Sequence, residues 1–261
     1  MKNMNLKRVS RYANKKTPDI KINEEVGWFR HDVVSLLEGK DNIGIELGVA
    51  RGIYAKRMID SHKFKRFYGV DAYGDSHDTA EYCGALKYIG FHNPKYCLLR
   101  MDFESALGLF DDNYFDFIYI DGFAHTGEEG GKTLVDWVKK LKIGGVFAGD
   151  DYHQDWPLVK WAVNDFSKKL DVELHVTTET EDEDFSKYPT WFIRKTSENE
   201  VEVDSVLYQI AMKEKKRISN YYSRGFLRSA RRNFERFVGR LLGLLGIKTL
   251  VFKLLRSIGY Y

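Results

Sequence analysis

What most constrains the fold of this chain is a rhythm in which short apolar runs, each the length of a strand, alternate with stretches of helical periodicity. The runs are Ile43–Leu47, Phe67–Asp71, Tyr96–Arg100, Phe115–Asp121 and Gly144–Gly149. Between them the spacing predicts helices at Gly52–Ser61, His77–Ile89, Glu104–Leu109 and Gly127–Leu141. Runs that are apolar without alternation are buried on both faces, and strands separated by helices pair in parallel through right-handed crossovers. A helix is expected at Pro157–Leu170, with proline in its favoured first turn. Two more strands, Glu173–Thr178 and Thr190–Arg194, are expected to follow as an antiparallel pair at the sheet edge. The fold class that results is α/β: a doubly wound, seven-stranded, mostly parallel sheet with a C-terminal helical extension. The expected segments are an N-terminal helical stretch at 1–38 with an amphipathic helix over Glu24–Leu37, an α/β domain at 39–196, and a basic amphipathic helical tail at 197–261.

Doubly wound sheets bind ligands at the carboxyl ends of their strands, so the chemistry is sought there. The first strand runs into Glu46-Leu47-Gly48-Val49-Ala50-Arg51-Gly52. Its glycines permit a sharp turn and close approach to a ligand, but Glu-x-Gly-x-x-x-Gly is not the dinucleotide fingerprint. The second strand ends in Asp71, about 20 residues after the glycine turn, where a carboxylate accepts both hydroxyls of a ribose. Helix capping is the plainer role for an aspartate in such a place. The third ends at Asp102-Phe103, an acceptor for an adenine amino group beside an apolar ring. The fourth ends Ile120-Asp121-Gly122-Phe123-Ala124-His125, and the fifth ends Gly149-Asp150-Asp151-Tyr152-His153.

With acidic residues at five consecutive strand ends, the chain resembles the class I S-adenosylmethionine methyltransferases over about residues 40–195. Within them it looks most like the branch carrying Ile-Asp-Gly-x-x-His and a later Gly-Gly-Val-x-x-x-Asp-Asp-Tyr, which includes sugar and natural-product O-methyltransferases. The resemblance implies that Glu46, Gly48 and Gly52 line the methionine and ribose portion of S-adenosylmethionine. It further implies that Asp71 holds the ribose hydroxyls, that Asp102 and Phe103 hold the adenine, and that Asp121 also touches the cofactor. Ala50 stands where many members carry a middle glycine.

An oxygen acceptor must lose its proton, which calls for a base or a metal ion. His125 is the favoured base, because imidazole titrates near neutral pH; Asp121 and His153 are the other catalytic candidates. Asp121, Asp150 and Asp151 form a candidate set for Mg²⁺, which would orient the acceptor and lower its pKa. The acceptor expected from the resemblance is a hydroxyl of a sugar, glycan precursor or related metabolite, as in polysaccharide biosynthesis. Two alternatives stand beside this one: a metal-independent methyltransferase using His125 on a small-molecule oxygen, and a catalytically silent scaffold.

The charge is divided unevenly along the chain. Residues 213–261 hold 13 Lys+Arg against 2 acidic residues, a net of +11, which leaves 28 against 36 in 1–212, a net of −8. In the tail Phe226, Phe234, Phe237, Leu241, Leu244 and Leu245 interleave with Arg228, Arg231, Arg232, Arg236 and Arg240. That pattern suits an anionic membrane surface, packing on the domain or a homo-oligomer interface being the alternatives. Nucleic acid is the lesser partner, since no Asn-Pro-Pro-Tyr-like segment occurs. Only two cysteines, Cys83 and Cys97, are present, and no signal-peptide core or run of about 20 apolar residues is found. The expected location is cytoplasmic, at the inner face of the membrane.

Overall fold

The computed structural model describes residues 2–74, 77–181, 186–198 and 200–220. The chain divides into two compact units, Met1–Glu214 and Lys215–Tyr261. The tail residues from Phe226 to Leu245 on which the membrane expectation rests lie outside the described residues.

The first unit is built on one eight-stranded sheet: β1 (Ile22–Glu25), β2 (Asn42–Leu47), β3 (Phe64–Val70), β4 (Tyr96–Leu99), β5 (Phe115–Ile120), β6 (Leu141–Gly149), β7 (Leu174–Thr177) and β8 (Trp191–Arg194). The spatial order is β1-β7-β8-β6-β5-β2-β3-β4. All pairs are parallel except those of β8, which runs antiparallel to both β6 and β7. The doubly wound, mostly parallel sheet is therefore as expected, including the antiparallel final pair, but it has eight strands.

The extra strand corrects the reading of the N-terminal segment. Glu24–Leu37 is not a helix: Ile22–Glu25 pairs in parallel with Leu174–Thr177 at the sheet edge, and only a short 3-10 turn forms at Asp32–Leu36. The pairing supplies the backbone partners that a helix would otherwise provide, and Gly27, at φ +83°, turns the chain out of the strand. The N-terminal helix lies earlier, as α1 (Lys2–Lys16).

Further helices are α2 (Ile53–Asp60), α3 (Thr79–Ile89), α4 (Phe103–Leu107), the single turn α5 (Gly127–Gly130), α6 (Lys132–Val138) and α7 (Pro157–Leu170), and residues 205–220 are helical as well. Side-chain alternation along the central strands sends alternate residues into two separate cores. Ile45, Leu47, Ile118, Ile120 and Phe147 pack with Leu134, Trp137, Trp161 and Phe166 on one face. Phe117, Tyr119, Val146 and Ala148 pack with Tyr54, Ala55 and Met58 on the other. Both faces are thus covered, as a parallel sheet requires. The order of connection reverses between β2 and β5, which are hydrogen-bonded neighbours, so a crevice opens at their carboxyl ends. Among the described residues no helix is long and apolar enough to cross a membrane.

Candidate active site

The loops leaving β2 and β5 meet backbone to backbone. Gly48, at φ +94°, donates its N–H to the Val70 carbonyl at 2.9 Å, and the Asp121 N–H donates to the Leu47 carbonyl at 2.7 Å. A Cβ on Gly48 would stand 1.8 Å from the carbonyl oxygen of Asp121. The loop then passes through Ala50, left-handed at φ +45°, to Gly52, which precedes α2 at φ +78°. Asp71 shapes this loop: its Oδ2 accepts from the N–H groups of Val49 and Ala50, each at 3.0 Å, and its Oδ1 accepts from Tyr73 at 2.9 Å.

Two connected recesses flank this meeting point. The smaller, of about 250 Å³, is lined by Asp71, Asp102, Phe103 and Phe123. Asp102 caps α4, its carboxylate accepting from the Ser105 N–H at 2.8 Å and from the Ser105 hydroxyl at 2.9 Å. Those two bonds hold its carboxyl below the ordinary range. Phe103 is buried beneath Gly122, where an added Cβ would meet its ring at 2.6 Å. The larger recess, of about 710 Å³, is lined by Arg30, Glu46, Asp150, Asp151, Trp156 and Tyr188 among others. Both recesses share Gly48, Ala50, His77, Asp121 and Gly122.

The floor of the larger recess is a buried ionic cluster. Arg30, 2% exposed, donates from Nη2 to Asp121 Oδ2 at 2.8 Å and from Nη1 to Asp150 Oδ2 at 3.2 Å. Its guanidinium lies 4.6 Å from the ring centre of Tyr54 and 5.0 Å from that of Tyr119. Burial pushes the Glu46 carboxyl well up, against the pull of Arg30, and Glu46 Oε2 accepts no hydrogen bond among the described residues. Burial likewise raises Asp150 and Asp151, Arg30 opposing the shift on Asp150.

Next to the cluster, α5 is a left-handed turn, with Glu128 and Glu129 at φ +48° and +49°, a conformation that costs a non-glycine residue about 1–2 kcal/mol. Glu128 is fully inside, its carboxylate accepting from the Phe123 N–H at 3.1 Å. Burial pushes its pKa up to about 8, against the hydrogen bond from Phe123.

The structure does not support the metal expectation. Among the described residues no group of three or more His, Cys, Asp or Glu side chains is disposed to hold a metal ion. Asp121 and Asp150 instead face the guanidinium of Arg30, and Asp151 joins them without completing an oxygen cage. The residues do not fit Mg²⁺.

The expected bases also fall outside the recesses. His125 sits exposed on the 3-10 turn Ala124–Thr126, its ring edge-on to Trp156 at 4.7 Å. His153 is half-buried against the ring of Tyr188 at 4.9 Å, and its Nδ1 accepts from the Asp155 N–H at 3.2 Å. The histidine that lines both recesses is His77, whose Nδ1 bonds Glu81 Oε2 at 2.6 Å. Sequence reasoning missed this pair, although its i,i+4 spacing is visible. It also missed Arg30, for which no local pattern exists, and the aromatic walls Tyr54 and Tyr188.

No curated protein sequence matches the chain. A spermidine synthase from Thermotoga maritima is similar in structure at 18% identity, over 67% of this chain and 62% of that one, with a TM-score of 0.49. An S-adenosylmethionine-dependent O-methyltransferase from the same organism is similar at 13% identity, over 66% and 64%, with a TM-score of 0.47. The chain thus spans about three-fifths of the synthase's length. Residues 43–152, which run from β2 through Asp151 and include the shared rim of both recesses, match the family described as a methyltransferase domain. Over those residues the chain is similar to a methyltransferase domain.

Proposed function

We propose that the protein is an S-adenosylmethionine-dependent O-methyltransferase acting on a hydroxyl of a sugar, glycan precursor or related metabolite. The observation that carries this reading is the pair of recesses joined at Gly48, Ala50, His77, Asp121 and Gly122. The smaller offers a carboxylate and a buried ring, Asp71 and Phe103, matched to a ribose diol and an adenine. The larger has carboxylates for hydroxyl donors and two aromatic walls, Trp156 and Tyr188, matched to the C–H faces of a sugar.

S-Adenosylmethionine, when bound, supplies a methyl group activated for in-line displacement. The chain's own part is to align the acceptor oxygen at the rim and to take its proton. His77 is placed for that transfer: it lines both recesses, and Glu81 bonds its Nδ1 at 2.6 Å and so orients the ring. This assignment replaces His125 and needs no divalent cation.

Calorimetric titration with S-adenosylhomocysteine tests the cofactor half. Wild type should bind saturably, and Asp71→Ala should lose about 10–100-fold in affinity, the worth of hydrogen bonds to a charged group. No binding by wild type would refute the reading and favour a silent scaffold.

The cationic tail supports a second element of the proposal, adhesion to an anionic membrane surface beside glycan intermediates. The full-length protein should sediment with phosphatidylserine-containing vesicles and be released by salt. Equal sedimentation with neutral vesicles would count against it.

A further inference from the structure

We propose that Arg30 is the built-in cation of this site, standing between Asp121 and Asp150 where the acidic strand ends would otherwise accept a divalent metal ion. Two different nitrogens of one guanidinium reach carboxylates at the ends of two neighbouring strands, β5 and β6, at 2.8 and 3.2 Å. This is the forked geometry for which arginine is suited and a point charge is not. The flanking groups agree with it. The faces of Tyr54 and Tyr119, 4.6 and 5.0 Å away, stack on a planar, weakly hydrated cation. Mg²⁺ instead demands six oxygens in near-octahedral array and holds its waters.

Arg30 is also delivered by a fixed segment. It follows β1, which is paired to β7, and it precedes the 3-10 turn, whose Asp32 carboxylate accepts from the Phe29 N–H at 2.8 Å. Asp121 and Asp150 both line the larger recess, so their orientation there depends on a residue from outside the matched segment 43–152. Arg30 is in this sense a positioning residue, acting through the two aspartates. That it serves methyl transfer rests on the function proposed above; that it fills the cation position does not.

The test uses Mn²⁺ alone, titrated into the full-length protein and followed by the electron paramagnetic resonance of the free ion. Wild type should show no saturable binding in the millimolar range. Arg30→Ala should gain a site at least about 10-fold tighter than wild type, lost again in Arg30→Ala/Asp150→Asn. Arg30→Gln, which keeps hydrogen-bonding groups but no charge, should take up Mn²⁺ as the alanine chain does, and it decides the matter if the alanine chain does not fold. Saturable uptake by wild type that Asp150→Asn abolishes would overturn the proposal, and so would a folded Arg30→Ala that binds no metal. Titration with S-adenosylhomocysteine in chelator runs beside these: its failure would sink the methyltransferase reading while leaving the Mn²⁺ result to stand on its own.

Discussion

Gly48→Ala should abolish measurable binding of S-adenosylhomocysteine and lower the stability of the protein by about 2–5 kcal/mol, the sum of a left-handed backbone penalty and forced overpacking. The added Cβ would lie 1.8 Å from the Asp121 carbonyl oxygen and 2.6 Å from its carbon. Neither atom belongs to a side chain that can swing away. Asp121 is tied to Leu47 through its N–H at 2.7 Å, and Gly48 is tied to Val70 at 2.9 Å, so relief requires the β2 and β5 loops to part. Parting them opens the rim shared by the two recesses. Gly52→Ala is the internal comparison: there the Cβ would meet the tip of the Ile89 side chain at 2.8 Å, a flexible neighbour, and the loss should be smaller. Urea unfolding and calorimetry on the same samples read both effects. A Gly48→Ala chain that unfolds and binds as wild type does would show that the loops are not held as described.

How much of this was legible in the sequence depended on whether a feature was local. The parallel strands could be read because burial on both faces leaves uninterrupted apolar runs such as Ile118–Ile120, each closing on an acidic residue or a glycine. β1 was not legible: Ile22-Asn23-Glu24-Glu25 is polar and exists as a strand because Leu174–Thr177 offers an edge. The same residues scan as the start of an amphipathic helix, a weak preference that the pairing overrides. Asp71, Asp102 and Phe103 line one recess, the smaller, and Asp102 caps α4, the plainer role for an aspartate at a strand end. The error over the metal came from the same limit of locality. Three aspartates in a short list of strand ends look like an oxygen cage, and only the fold brings Arg30, 91 positions away from Asp121, to pair with two of them. His125 was favoured for following a strand end, yet it is exposed on the 3-10 turn Ala124–Thr126 and lines neither recess.

His77→Ala should lower kcat by about 10²–10⁴-fold, the range for losing a positioned general base, while S-adenosylhomocysteine affinity changes little. The expectation follows from geometry: His77 lines both recesses, and Glu81, four residues on and on the same face of the chain's turn into α3, fixes the ring through Nδ1 at 2.6 Å. An alanine there removes the proposed proton acceptor but leaves Asp71, Gly48 and Phe103, the residues proposed to hold the nucleoside, in place. The loss should therefore appear in kcat and not in cofactor binding, the signature of an interaction made in the transition state alone. Glu81→Gln keeps a partner for the ring without its charge and should cost less than the alanine at His77. The assay is release of S-adenosylhomocysteine on a hydroxylated acceptor that wild type methylates. His125→Ala in the same assay removes a ring packed outside on Trp156 and should cost far less; if it lowers kcat as much as His77→Ala does, or more, the role of base returns to His125. A His77→Ala enzyme with wild-type kcat would remove His77 from the chemistry altogether.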